Sequence, residues 1–236
     1  MKRTILCIET STDVCSAAVC AVDDSVAGGT SELVSYRLSE AGSNHARLLP
    51  LYLDELIGEV REKGLHIDCV AVSSGPGSYT GLRIGVSTAK GLAYGWNVPL
   101  VAVPTLEVLC ESVLMKENVK SGSLLCPMID ARRMEVYTAL YDRSLKEVMG
   151  VRPQVVEDCR WLPDDEILYF GNGAEKCSSI LNTRNLHFIS SIKADAHVMG
   201  RLATKYMDEG KTADVAYFEP FYLKEFVAAP SHIKGL

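Results

Sequence analysis

The chain has 236 residues and a mass of 25.7 kDa, which is enough for one large domain or two small ones. Hydrophobic residues make up 47% and charged residues 23%, an ordinary globular composition that excludes general disorder. With 24 basic and 30 acidic residues, the net charge is −6. An acidic chain lacks the electrostatic surface of a protein that binds nucleic acid tightly by itself.

The sequence shows no signal for export or membrane insertion. The apolar run 5–8 stops at Glu9, and no run approaches the ~20 apolar residues of a membrane helix. Eight cysteines are present without a C-x-x-C pair, mostly within runs of Val, Ile and Leu, where cysteine acts as a small buried hydrophobe. We therefore expect a cytoplasmic chain with reduced thiols and no membrane partner.

Hydrophobic spacing and turn residues predict a regular series of elements in the first half. In chain order they are three strands (4–9, 14–22, 32–38), a helix (44–62), a strand (68–74), a helix (82–94), a strand (99–103) and a helix (105–118).

The second half repeats this order approximately. Its predicted elements are three strands (124–129, 135–141, 146–151), an ambiguous apolar segment (155–161), a strand (166–170), a short helix (174–181), a strand (186–189), a helix (195–207) and an irregular tail from 212. Two copies of a βββαβαβα order predict an α/β fold of two stacked domains with a cleft between them. We place the boundary between 104 and 122 and assign the domains to 1–104 and 105–236.

The most specific segment is the glycine-rich run from Gly75 to Gly85, between a buried strand and a helix. Such a loop can cradle a phosphate at the helix N-terminus. It lacks the Gly-Lys-Ser/Thr of a Walker A loop, and its third glycine, Gly81, is displaced by one residue from the dinucleotide fingerprint. A tight structural turn is the favoured interpretation, and nucleotide contact is the alternative.

The helix after this loop carries small residues four apart, which share one face. This inner stripe consists of Gly81, Gly85, Ala89 and Ala93. Small residues permit close helix approach, either inside the chain or against a second chain. Apolar residues off the main stripe of the preceding helix favour the second alternative. We predict a partner interface of Leu48, Leu51, Tyr52, Gly81, Arg83, Gly85, Ala89 and Ala93.

Several motifs together resemble one known family. They are Ile8-Glu9-Thr10-Ser11-Thr12, His45-x-x-Leu48-Leu49-Pro50, the glycine segment continued by Ser87-Thr88-Ala89-Lys90-Gly91-Leu92-Ala93, Asp130-Ala131-Arg132-Arg133-x-Glu135-Val136-Tyr137, Gly171-Asn172-Gly173-Ala174 and Pro220-x-Tyr222-Leu223-Lys224. They resemble the TsaB (YeaZ) family, bacterial subunits of the machinery that makes threonylcarbamoyladenosine in tRNA. The last motif departs from the family pattern by having Lys224 where Arg is usual.

This resemblance implies two domains of the actin-like, Hsp70-like and sugar-kinase-like (ASKHA) fold. It also implies a non-catalytic scaffold that activates a TsaD-type threonylcarbamoyltransferase acting on adenosine 37 of tRNA. A TsaE-type ATPase joins that system, relatives form homodimers, and tRNA is expected to bind only within the complex. ATP or ADP could lie at the interface of the complex, although the chain alone is expected to need no cofactor.

The residues offer little for catalysis by the chain alone. No two of the five histidines stand four apart, so no helical metal pair is predicted, and no serine lies in a nucleophile elbow. The two turns expected at a nucleotide cleft lack glycine, so we predict at most a degenerate cleft. Its candidate residues are Glu9, Ser11, Thr12, Gly77, Ser78, Asp130, Gly171 and Gly173. The alternatives are an ATP-dependent kinase or ATPase of the same fold and a metal-free peptidase.

Overall fold

The computed structural model describes residues 2–23, 30–40 and 44–224, which form two five-stranded sheets and four α-helices. The first sheet consists of β1 (Lys2–Glu9), β2 (Cys15–Asp23), β3 (Thr30–Ser39), β4 (Cys69–Gly75) and β5 (Leu100–Pro104). The second sheet consists of β6 (Leu124–Asp130), β7 (Glu135–Tyr141), β8 (Glu147–Val155), β9 (Ile167–Phe170) and β10 (Leu186–Ile189). The helices are α1 (His45–Glu62), α2 (Tyr79–Trp96), α3 (Thr105–Lys116) and α4 (Met199–Asp208).

The two sheets share one topology. The strand order is β3-β2-β1-β4-β5 in the first and β8-β7-β6-β9-β10 in the second, so each begins with two hairpins and adds two parallel strands. The central strand β1 reads Ile5-Leu6-Cys7-Ile8 without alternation because both of its faces are buried. This doubled order confirms the predicted α/β fold class.

The second half has fewer helices than its counterpart. No helix follows β8, and the helix predicted at 174–181 is a single 3₁₀ turn over Glu175–Cys177. The segment 156–166 contains Pro163, which has no N–H group to donate, followed by three acidic residues, so it has neither the apolar repeat nor the full set of donors of a helix. The helix predicted at 195–207 begins with a 3₁₀ turn over Ala196–Val198 and continues as α4.

The helices cover the first sheet on both faces. Helices α1 and α2 pack on one face, with buried residues such as Leu49, Leu56 and Ala89 in the same cluster as Leu6 and Ile8. Helices α3 and α4 pack on the other face, and their buried cluster continues into the second sheet. The two sheets therefore share one continuous core. Within the residues that the structure describes, no helix is long and apolar enough to cross a bilayer.

The end of the chain returns to the first sheet. The backbone N–H of Ala213 donates to Leu100 O at 2.8 Å, and that of Phe221 donates to Ser74 O at 2.7 Å. Segments from the second half thus complete the packing of the first. The division into 1–104 and 105–236 stays a prediction, and residues 225–236 of the predicted tail lie outside the described residues.

Candidate functional site

The first turn of the chain holds a buried carboxyl group. Glu9, at the end of β1, accepts hydrogen bonds at Oε1 from Ser11 N (2.6 Å), Ser11 Oγ (2.5 Å) and Ser73 Oγ (3.0 Å). Its Oε2 has no partner among the described residues. Burial raises the pKa of the Glu9 carboxyl to about 7, although the hydrogen bonds from Ser11 and Ser73 lower it. This carboxyl faces the interior and is partly protonated at neutral pH.

The glycine loop packs directly on this turn. The backbone N–H of Ser78 donates to Ser11 O at 2.6 Å, and a Cβ on Gly77 would lie only 2.2 Å from the same oxygen. The Ser78 hydroxyl then accepts from Gly81 N at 3.3 Å and caps α2. Glu9, Ser11, Gly77 and Ser78 are therefore close together as predicted, but the chain's own carbonyl occupies the place where an anion would approach the loop.

The second half contains an equivalent arrangement after β9. Gly171, which follows β9, has a φ of +105°, and Gly75, the last residue of β4, has a φ of +110°. A Cβ on Gly173 would lie 2.8 Å from Asp130 N, so this second Gly-x-Gly packs on the end of β6 as Gly77 packs on Ser11. Sequence reasoning missed this repeat, because the two Gly-x-Gly segments are recognised only by their shared position after the fourth strand of each sheet.

A cleft of about 460 Å³ lies where the two halves meet. Asn172 Nδ2 donates to Asp13 Oδ1 across it at 3.5 Å. Of the predicted cleft residues, only Thr12 and Gly171 line it. Its lining consists of Thr12, Asp13, Val14, Leu109, Gly171, Asn172, Glu175 and residues 188–194. Sequence reasoning missed the segment 188–194, which gave no motif, and Lys193 within it is paired with Glu40 at 2.7 Å.

The inner stripe of α2 does not face outward, so its assignment to a partner interface is wrong. Cβ atoms on Gly81 and Gly85 would lie 2.0 Å from Thr10 O and 2.2 Å from Thr10 Oγ1. Ala89 and Ala93 are buried in the core between α2 and the sheet. Positions 81 and 85 have no room for a side chain because β1 and its turn pass directly beneath the helix. The inner stripe therefore packs inside the chain, which is the intrachain alternative.

The exposed side of the two helices carries the rest of the predicted interface. Leu51 is 54% exposed, while Leu48 and Tyr52 are half-buried at the edge of the core. Arg83 is exposed and lies over the Tyr79 ring, 5.3 Å from its centroid. Leu51 and Arg83 are therefore accessible, and the role of these four residues in an interface stays a prediction.

A second row of small residues lies on the exposed side of α2. This outer stripe consists of Ser87, Gly91 and Gly95, which continue the four-residue spacing from Arg83. A Cβ on Gly91 or Gly95 would meet nothing within 4 Å. Tyr94 beside it is 81% exposed. Sequence reasoning missed this stripe although its spacing was visible, because both stripes fit the same helical period.

The described residues contain no group of three or more His, Cys, Asp or Glu side chains arranged to hold a metal ion.

Comparison with known proteins gives a consistent family. A model described as "TsaD: tRNA N6-adenosine threonylcarbamoyltransferase" matches residues 39–226. The Escherichia coli protein named "tRNA threonylcarbamoyladenosine biosynthesis protein TsaB" is 29% identical over 95% of this chain and 96% of its own length. The Bacillus subtilis protein of the same name is 35% identical over 66% of this chain and 60% of its own length.

Solved structures agree on the fold. YeaZ from Pseudomonas aeruginosa superposes with a TM-score of 0.73 at 24% identity, over 94% of this chain and all of that one. A structure of an uncharacterized protein with similarity to peptidase YeaZ, also from Pseudomonas aeruginosa, gives a TM-score of 0.77 at 23% identity over the same shares.

Proposed function

This chain belongs to the tRNA N6-adenosine threonylcarbamoyltransferase family, in its TsaB (YeaZ) branch, and from that premise we propose that it is a non-catalytic subunit of the machinery for threonylcarbamoyladenosine in tRNA. It acts in the cytoplasm as a scaffold that activates a TsaD-type transferase at adenosine 37, together with a TsaE-type ATPase. The observation that carries the proposal is the match to Escherichia coli TsaB over nearly the full length of both chains.

Kinship supports pairing with a TsaD-type subunit. A Geotalea daltonii tRNA N6-adenosine threonylcarbamoyltransferase is 32% identical to this chain over 80 residues, which are 34% of this chain and 24% of that protein. Chains that share a fold can pair through equivalent surfaces, as two copies do across a two-fold axis. The same surface would serve the homodimer that we propose for the chain in the absence of its partner.

The closed glycine loop supports a non-catalytic role. Phosphate-binding loops work because their backbone N–H groups are free to approach an anion. Here Ser78 N is bound to Ser11 O, and the side chain of Ser78 occupies Gly81 N. Two N–H donors of this loop are therefore unavailable to a phosphate in the chain alone, and any ATP or ADP would bind in the assembled complex.

The outer stripe supplies the geometry for the partner contact. Ser87, Gly91 and Gly95 leave the backbone of α2 accessible, so a partner helix could approach closely. We include Leu48, Leu51, Tyr52 and Arg83 of the predicted interface as further members of the proposed contact. Close backbone approach with apolar side chains around it is typical of tight helix–helix packing.

The test is to purify the chain with the TsaD-type subunit of the same organism and to measure the affinity by calorimetry. We expect a stoichiometric complex. Gly91→Leu adds bulk at the contact, an overpacking of about 1–3 kcal/mol that corresponds to a roughly 5–150-fold loss of affinity.

Gly150→Leu is the matched control, because Gly150 is an exposed glycine of β8 in the other sheet. It should leave the affinity unchanged. Absence of any complex for the wild type contradicts the proposed function, and equal affinities for both folded variants contradict the proposed surface. Steady ATP hydrolysis or peptide cleavage by the purified chain would contradict the non-catalytic role.

A further inference from the structure

The turn between β6 and β7 places two arginines in an unusual backbone conformation. Arg132 and Arg133 are exposed, with φ values of +70° and +49°. This left-handed region is uncommon for residues with a large side chain and favours glycine and asparagine. Two consecutive arginines at such positions indicate that their side chains serve a purpose that the turn itself does not require.

Both guanidinium groups are free in the part of the chain that the structure describes. Neither makes a hydrogen bond or an ion pair there; at the backbone, Arg132 N donates to Asp130 Oδ1 at 3.1 Å and Arg132 O accepts from Glu135 N at 3.1 Å. The two acidic residues that flank the turn are already neutralised, Asp130 by Lys176 and Glu135 by Lys224. A chain with a net charge of −6 thus presents a local surplus of two positive charges at this turn.

The last described residues of the chain are joined to this turn and include two aromatic side chains. The ion pair of Lys224 with Glu135 ties the C-terminal segment to the turn. Two residues earlier, Tyr222 stacks on Tyr79 with ring centroids 4.8 Å apart, and Phe221 is 48% exposed. Single-stranded nucleic acids bind through phosphate contacts to cationic side chains and through base stacking on aromatic rings.

We propose that Arg132 and Arg133 bind phosphodiester groups of a single-stranded RNA segment. The proposal rests on the proposed function, which brings tRNA to the complex. It departs from the expectation that the chain alone does not bind tRNA, because this turn is locally cationic although the net charge is −6. Arginine suits this role because its planar guanidinium binds phosphate oxygens in pairs. RNA is favoured over a free nucleotide because the two side chains lie on an open turn, and two N–H donors of the glycine loop are already bonded within the chain.

The probe is fluorescently labelled unmodified tRNA, titrated with the purified chain alone by anisotropy between about 50 and 200 mM salt. Two phosphate contacts to a single strand should contribute about 1.4 to the slope of log affinity against log salt. In Arg132→Asn/Arg133→Asn we expect the slope to fall by that amount. The loss of affinity over this fourfold salt range should accordingly be about sevenfold smaller than for the wild type.

The asparagine variant separates binding from folding. Asparagine accepts the left-handed conformation better than arginine, so the melting temperature should stay the same or rise by a few degrees. The control Arg143→Asn/Arg184→Asn removes the same charge at the opposite end of the second sheet, in the β7–β8 turn and before β10. It should leave the salt slope as in the wild type.

Three results would overturn the proposal. The wild type could fail to bind tRNA at 50 mM salt, the two double variants could lose slope equally, or ATP could displace the RNA at equal phosphate concentration. The last result would assign the turn to free nucleotides. The RNA titration does not involve the TsaD-type subunit, and Arg132→Asn/Arg133→Asn should still form that complex, so failure here is distinguishable from failure of the proposed function.

Discussion

Replacing Gly85 by alanine inserts one methyl group between α2 and the first turn of the chain. The added Cβ would lie 2.2 Å from Thr10 Oγ1, closer than real Cβ contacts allow, and 3.4 Å from Thr10 Cβ. The same hydroxyl donates to Gly81 O at 2.8 Å in the buried layer below the helix. Thr10 therefore has to move, and its movement endangers that hydrogen bond.

The magnitude follows from three opposing contributions. Overpacking costs about 1–3 kcal/mol, and loss of the Thr10 hydrogen bond costs about 1 kcal/mol. Alanine in place of a helical glycine returns up to about 1 kcal/mol. We expect a net loss of about 1–3 kcal/mol in the free energy of unfolding. Gly91→Ala, in open space on the same helix, should instead gain up to about 1 kcal/mol.

Urea denaturation followed by circular dichroism measures both variants on one scale. Gly85→Ala should unfold at lower urea than the wild type and Gly91→Ala at equal or higher urea. Thr10→Ala removes the obstructing hydroxyl, so in that background the cost of Gly85→Ala should shrink. If Gly85→Ala is as stable as Gly91→Ala, the inner stripe does not pack on the first turn and the reasoning is refuted.

Three further predictions concern the carboxyl, the C-terminal segment and the thiols. The pKa of Glu9 is raised in the folded chain from 4.5 to about 7. The contribution of this carboxyl to stability is therefore complete below pH 4.5 and is lost as the pH rises to 7. In urea melts at different pH, the free energy of unfolding of the wild type should fall by about 3 kcal/mol across that window relative to that of Glu9→Gln. Lys90 Nζ donates to two backbone carbonyls of the segment 216–218, at 3.2 and 2.9 Å. Lys90→Met should therefore speed proteolysis of that segment about tenfold. An unchanged cleavage rate would argue against this contact. Seven of the eight free thiols are buried. A colorimetric thiol reagent should therefore react quickly with about one thiol, Cys159, in the native chain and with all eight after denaturation. Fast reaction of several thiols in the native chain would contradict the core described above.

The strands of both sheets could be predicted from sequence because their signals are local. Apolar runs such as 69–72 are dictated by burial on both faces, and turn residues separate them. The order of the first half agrees with the structure element by element. In the second half, the helix predicted at 174–181 is only a 3₁₀ turn over Glu175–Cys177, because a short segment of moderate periodicity depends on tertiary packing for its conformation.

Sequence alone could not predict which face of α2 is buried. Two stripes of small residues, one including Gly85 and one including Gly91, share the same four-residue spacing. Periodicity shows that each stripe forms one face, but only the position of Thr10 beneath the helix shows which face is internal. Most of the lining of the cleft was missed for a related reason, since residues 188–189 end β10 and residues 190–194 are irregular chain that carries no motif.

The most direct test of the central claim is the content of threonylcarbamoyladenosine in tRNA of the source organism when this chain is depleted. Mass spectrometry of digested tRNA should show that the modified nucleoside falls on depletion. A wild-type copy or Gly150→Leu should restore it, whereas Gly91→Leu should not. An unchanged level of threonylcarbamoyladenosine after depletion would contradict the assignment of this chain to the modification machinery.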